Sequence, residues 1–327
     1  MAPRMPNGMT DNVDSDAAAR LEPDDIRGLV GELRRLLLDE YVFPDVAAKI
    51  CDVLDKRLRA GEYDDVRDVM AFAEALTNDL QSVNGDRHLR VLYSQDEVVS
   101  ETDPQGQLEE LTQWASASGG GVARVERLEG NVGYLELRPI LFPPAISGEQ
   151  VACAMTLISN ADALIIDVRQ CLGGDPSMVV FICSYLFGDD PVHLIDIYER
   201  RGDRTNQHWT QPFVPGQKFG PTKPLFLLTS KQTFSGAEDL CYDLQRLQRG
   251  VIIGEATGGG AHPREGFKLH RHLEATIPIA RAIDPDTGGN WEGTGVIPDV
   301  RIAAPDALVT AIHRTNKVIN RSSDNTA

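Results

Sequence analysis

The chain has 327 residues, 42% of them apolar and 25% charged, with a formal net charge of −17. These proportions are ordinary for a soluble globular protein, and the length holds one large domain, or one domain with a smaller cap. The acidic balance argues against nucleic acid and anionic membrane as partners, whose phosphates would repel it.

Residues 1–22 are polar, rich in Pro, Asp and Asn, and lack an apolar h-region. They are expected to form a disordered tail rather than a signal peptide, and with no apolar run approaching roughly 18 residues the expected location is cytoplasmic. From Asp24 the pattern is helical, with Ile26, Leu29, Val30, Leu33, Leu36 and Leu37 on one face. A second helix starts at Pro44 and ends before Gly61; a third covers Asp68 to Gln81 with Met70, Ala73, Leu76 and Leu80. Asn84-Gly85-Asp86 breaks the period and Leu89 to Tyr93 reads as a strand, so residues 23–94 form a small helical cap. Residues 95–120, acidic and rich in Gln and Ser, read as a linker that ends in a glycine-rich junction.

From residue 121 to 316 strands and helices alternate. Strands are expected at 133–138, 163–169, 193–199, 225–230 and 251–255, and helices at 148–159, 176–187 and 235–248. Further strands fit 267–274 and 275–283, and a last helix fits 306–316, before a disordered tail over 317–327. The fold class is therefore α/β with a largely parallel, buried sheet. Cys51, Cys153, Cys171, Cys183 and Cys241 are odd in number and widely spaced. Cys153, Cys183 and Cys241 lie in apolar helical patterns and read as reduced, buried thiols, and the spacing supports no zinc site.

The segment Thr233-Phe234-Ser235-Gly236-Ala237-Glu238 lies between an apolar strand, Leu225 to Ser230, and an amphipathic helix. A serine there stands at the positive end of a helix beside unpartnered N–H groups, where an acyl-transfer nucleophile would sit. The same Ser235-x-x-Glu238 spacing is also a capping box, and local sequence does not separate the two readings. A serine nucleophile needs a base, and His88, between the Asn84-Gly85-Asp86 turn and a strand, is the candidate among seven histidines. Glu292, between Trp291 and two glycines, offers a carboxylate to orient that base, although a loop glutamate is more often simply exposed. Gly173 and Gly174, between a buried strand and Asp175-Pro176, let backbone donors approach an anion, and the Asp-Pro pair itself reads as N-cap and first helical position.

Residues Leu228 to Glu238 resemble the nucleophile segment of S41 serine peptidases. That family includes tail-specific proteases, the tricorn core and the interphotoreceptor retinoid-binding repeats. Gly85 to Arg90, Asp167 to Gly174 and Asn290 to Asp299 agree in the same order, and Gly258 to Pro263 resembles the branch nearest the retinoid-binding repeats. The resemblance implies a ClpP/crotonase-type core with a mixed, largely parallel sheet behind a helical cap, and hydrolysis of peptide bonds as a serine endopeptidase. It places Ser235 as nucleophile, His88 as base and Glu292 as its partner, with Gly236 and Gly173 or Gly174 at the oxyanion and Phe234 and His262 at the substrate. The Ser-Lys branch of the family would need a lysine where this chain has Gly260, and none occurs between Lys231 and Lys268. There is also no room between cap and core for the PDZ domain of the tail-specific enzymes. A peptide or protein substrate is implied, with no metal or organic cofactor, no nucleic acid and no membrane partner. Oligomeric state is left open. The rival readings on the same residues are a non-catalytic carrier of apolar ligands and an esterase or cyclase of small metabolites.

Overall fold

The computed structural model describes residues 21–64, 66, 68–100 and 103–324. The first elements are α1 (Pro23–Glu40), α2 (Pro44–Arg59), α3 (Val69–Gln81), β1 (Arg90–Tyr93) and α4 (Pro104–Ala117). Next come β2 (Val122–Leu128), β3 (Val132–Leu137), α5 (Pro144–Ile158), β4 (Ala163–Asp167), α6 (Pro176–Leu186), β5 (His193–Glu199) and β6 (Arg204–Trp209). The chain continues through β7 (Leu225–Thr229), α7 (Gly236–Arg246) and β8 (Val251–Gly254). It closes with β9 (Arg264–His270), β10 (Leu273–Pro278), β11 (Ala280–Ile283), β12 (Val300–Arg301) and α8 (Ala307–Asp324).

Two compact units result. One contains the described residues up to Glu109 together with Tyr198–Thr205 and His262–Arg281. Its helices start as the sequence dictates: Pro23 and Pro44 take first-turn positions, and the Asp68 carboxylate accepts from Ala71 N–H at 2.7 Å. Ile26, Val30, Leu33, Leu37, Ile50, Phe72 and Leu76 bury one face of each helix in a core shared with Leu89, Val91, Ala275 and Ile277. The last four belong to or adjoin the antiparallel sheet β1-β10-β9.

The other unit contains Glu110–Ile197, Asn206–Ala261 and the described residues from Ala282. Its sheet runs β12-β8-β7-β4-β3-β2, parallel throughout except for the β2–β3 pair. Every residue of β4 and β7 is buried, the pattern of strands covered on both faces. A smaller sheet follows the order β11-β5-β6.

The structure corrects several expected boundaries. Leu21 is buried and α1 begins at Pro23, so the expected tail over 1–22 ends at the latest with residue 20; residues 1–20 lie outside the described ones. The stretch read as a linker carries α4, in which Leu111, Trp114 and Ala115 keep helical spacing and the Trp114 ring meets Phe142 edge-on at 5.1 Å. The expected tail over 317–327 is helical as far as Asp324, because Ala311, Thr315 and Ile319 continue one inward stripe; residues 325–327 are not described. Strands β2 and β6, absent from the sequence reading, have mostly half-exposed or exposed residues and so no apolar run to announce them. Cys153 is exposed, since it falls on the outer face of α5 between the inward pairs Val151–Ala152 and Ala154–Met155. The other four cysteines are free and buried. No helix among the described residues is long and apolar enough to cross a membrane.

Candidate active site

Strand β7 delivers the chain into a turn sewn to the loop after β4. Ser230 N–H donates to Thr233 Oγ1 at 3.0 Å, and that hydroxyl donates to Val168 O at 2.9 Å. Phe234 N–H donates to Cys171 O at 3.1 Å. The threonine hydroxyl does here what a backbone ladder would do in a longer strand. The chain then turns sharply at Ser235, which has φ 50° and ψ −124°, a region glycine prefers and other residues occupy at about 1–3 kcal/mol of strain.

Ser235 is the N-cap of α7, and the capping-box pairing with Glu238 is present. The glutamate goes well beyond capping. Its buried carboxylate accepts from Ser235 N–H at 2.8 Å, Gly260 N–H at 2.8 Å, Gly259 N–H at 2.6 Å and the Thr257 hydroxyl. Burial pushes its pKa above the ordinary carboxylate value, against the pull of those four donors. One side chain thus locks the main chain of the candidate nucleophile to the 257–260 loop.

That loop is held from a second side as well. Ala261 N–H donates to Glu292 Oε2 at 2.6 Å, Trp291 Nε1 donates to Gly260 O at 2.8 Å, and Gly293 N–H donates to Gly259 O at 3.0 Å. Trp291 is buried against Tyr242 of α7, with ring centroids 5.0 Å apart, which explains why an indole stands beside a loop glutamate. Glu292 is half-buried rather than simply exposed, and has a fixed backbone donor.

Gly173 and Gly174 have φ of 125° and 134°, and neither has room for a side chain: Gly173 lies against the Ser235 side chain and Gly174 against the Leu141 backbone. A Cβ on Gly173 would stand 2.8 Å from Ser235 Cβ and 3.4 Å from its Oγ; one on Gly174 would stand 2.2 Å from Leu141 O. One on Gly236 would stand 2.7 Å from Gly174 O. Gly173 therefore lies against the serine side chain, and Gly236, next to the serine, packs on the Gly174 backbone. Asp175 caps α6 as expected, its carboxylate accepting from Ser177 N–H at 2.8 Å with Pro176 next. The Phe234 ring lies against the α-carbon of Gly258, where a Cβ would approach it to 2.7 Å.

Two further acids of α7 are buried one turn apart. Asp239 and Asp243 carry carboxylate oxygens without hydrogen-bond partners among the described residues, next to Cys183 and Cys241. Burial raises both, and the mutual charge and Asp284 raise Asp243 further while Arg246 opposes. A carboxyl raised in the folded state adds stability below its unfolded pKa and loses it as pH rises through the folded one. Asp243→Asn should therefore gain on wild type between pH 5 and pH 9. Urea unfolding at the two pH values should show a gap widening by at least about 1 kcal/mol.

The other sequence-predicted residues, His88 and His262, belong to the helical unit. His88 sits between the Asn84–Asp86 turn and β1, 4% exposed, with its N–H on Asp86 Oδ1 at 3.0 Å and its carbonyl accepting from Thr276 Oγ1 at 2.6 Å. Burial lowers its pKa to about 3; Asp86 opposes, while Arg264, His262 and Arg90 add to the depression. The His262 ring Nδ1 lies 2.8 Å from Asp86 Oδ2. Asp86 is a residue the sequence reading used only as part of a turn. Its position two before His88, the spacing of an Asx turn, was the available signal.

A strained serine at a strand-to-helix turn, with Gly173 against its side chain and a buried carboxylate on its N–H, is an arrangement that can present a hydroxyl as a nucleophile. Residues 131–302 match the model of peptidase family S41, and residues 23–118 match the N-terminal domain of Peptidase_S41 in eukaryotic IRBP. The chain belongs to peptidase family S41 and is a serine peptidase.

Solved structures agree on the fold. A protein of Parabacteroides merdae superposes with a TM-score of 0.58 at 18% identity, over 90% of this chain and 97% of that one. The photosystem II D1 C-terminal processing protease gives 0.50 at 17% identity, over 85% and 93%. Tricorn protease gives 0.59 at 14% identity, over 91% of this chain and 37% of its own longer one.

Proposed function

We propose that the enzyme hydrolyses peptide bonds through an acyl-enzyme on Ser235, with His88 as general base and acid and Glu292 supporting the imidazolium. Ser235 Oγ attacks the substrate carbonyl carbon and its proton passes to His88. The oxyanion is stabilised by the amide of Gly236 and one amide of the Gly173–Gly174 turn, each such donor being worth about 2.7–4 kcal/mol. The C–N bond then breaks as His88 returns the proton to the leaving amine, and water, deprotonated by His88, releases the acyl group. The observation that carries the reading is Ser235 itself, held at φ 50° at the start of α7 with Gly173 against its side chain. Strain of this kind is retained where a hydroxyl must be presented rather than packed.

The test is reaction of the folded protein with a fluorophosphonate, followed by mass mapping of the adduct. A single adduct on Ser235, with cleavage of a peptide library, supports the proposal. A folded protein that is inert to the probe would sink it.

The low pKa of His88 has a kinetic consequence. A base acts in its neutral form, so kcat/KM should hold level from about pH 8 down to about pH 5, with its acid limb near the depressed value. The profile should be measured on a fluorogenic peptide while far-ultraviolet dichroism verifies the fold. A limb centred near pH 6.5 would show that His88 does not titrate as the buried base.

A further inference from the structure

Within the helical unit one carboxylate serves both histidines. Asp86, 1% exposed, accepts His88 N–H on Oδ1 at 3.0 Å and faces His262 Nδ1 with Oδ2 at 2.8 Å. Tyr41 donates its hydroxyl to the same Oδ2 at 3.0 Å, and Asn84 Nδ2 donates to the Tyr41 oxygen at 2.7 Å. Every neighbour in this set therefore points a donor inward. An ionised carboxylate has no proton to give, so the proton on the His262–Asp86 bond must sit on Nδ1. Burial by itself would raise Asp86, but the hydrogen bond from His262, with the His88 N–H beside it, holds it below the ordinary carboxylate value, so it is ionised. In neutral His262 the lone pair is thereby assigned to Nε2. The His262 ring is further fixed by Phe43, edge-on with centroids 5.1 Å apart.

We propose that Asp86 is a positioning residue of the peptidase site: it sets the tautomer of His262 and the main chain of His88 together, so that His262 presents Nε2 as a hydrogen-bond acceptor. The inference rests on the peptidase reading above for its catalytic consequence, and on this geometry alone for the tautomer. Asparagine in place of Asp86 can still accept His88 N–H through its carbonyl. Its amide group would then face His262 as a donor and force the ring proton to Nε2, as happens when the orienting aspartate of a serine protease is amidated.

The experiment uses the full chain labelled with nitrogen-15 histidine, with His262 resonances assigned through the His262→Asn variant. Long-range proton–nitrogen spectra near pH 7.5 should show a proton on Nδ1 of His262 in the wild type and a shift to Nε2–H in Asp86→Asn. In parallel, Asp86→Asn and His262→Asn should each lower kcat/KM on a peptide by about 10²-fold, and the double variant should lose no more than either single one. The proposal is overturned if wild-type His262 carries its proton on Nε2 alone, or if the two losses multiply. Should Asp86→Asn not fold, the wild-type spectrum still decides. An unlabelled Ser235 in folded wild type would instead count against the peptidase reading and leave the tautomer to be judged on its spectrum.

Discussion

Ser235→Ala is expected to abolish peptide turnover while leaving a folded protein. Removing the nucleophile of a serine protease lowers kcat by on the order of 10⁶, and what remains reflects binding and oxyanion donors alone. Adduct formation with a fluorophosphonate should vanish with it. The fold should survive because the main anchors of this turn are elsewhere: Thr233 Oγ1 on Val168 O, Phe234 N–H on Cys171 O, and Ser235 N–H on Glu238. Loss of the hydroxyl at an N-cap costs about 1 kcal/mol. A second substitution separates strain from chemistry. Ser235→Gly is equally inactive, yet glycine tolerates φ 50°, so it should unfold at a urea midpoint at or above that of Ser235→Ala. Residual turnover above about 1% of wild type in the alanine variant would remove Ser235 from the nucleophile role, since the triad effect is far larger than that.

The elements with strong patterns were legible beforehand. Buried strands β4 and β7 show uninterrupted apolar runs, and α1, α2 and α7 show one-sided apolar faces with a proline or a serine at the start. What stayed hidden was held by contacts distant in sequence. Strand β2 is defined by pairing with β3 rather than by its own alternation, and α4 by the packing of Trp114 on Phe142. The same division runs through the site. Ser235 and the Gly173–Gly174 turn stand out because sharp turns need specific residues. Asp86 does not, because an aspartate before a histidine looks like turn chemistry until His262, far along the chain, is seen at its other oxygen. Glu238 was legible only as a cap, since its partners at Thr257, Gly259 and Gly260 lie 19 to 22 residues further along the chain. Local spacing predicts local bonds and cannot reveal that one carboxylate serves two segments.

Glu238 is therefore where the largest stability effect is expected. Its Oε1 takes the Thr257 hydroxyl and Gly259 N–H; its Oε2 takes Ser235 N–H and Gly260 N–H. Glutamine keeps the size and one carbonyl oxygen, but its amide nitrogen is a donor and would face two of these four donors. Each buried donor left without an acceptor costs about 1–3 kcal/mol, so Glu238→Gln, which orphans two, should lose roughly 2–6 kcal/mol in urea unfolding. Alanine orphans all four and should lose more, or fail to fold. The functional effect follows from the same bonds. With Ser235 N–H released, the serine keeps its carbonyl bonds to the Glu238 and Asp239 N–H groups but loses the bond that fixes its own N–H at the strained φ, and the loop that carries the Ala261 N–H donor to Glu292 loosens with it. Folded Glu238→Gln should then react with a fluorophosphonate at least about tenfold more slowly than wild type, because a small misplacement of a reacting group is costly. If the glutamine variant unfolds within about 0.5 kcal/mol of wild type and labels at an undiminished rate, the carboxylate is an ordinary cap and Ser235 is positioned by the glycine turn alone.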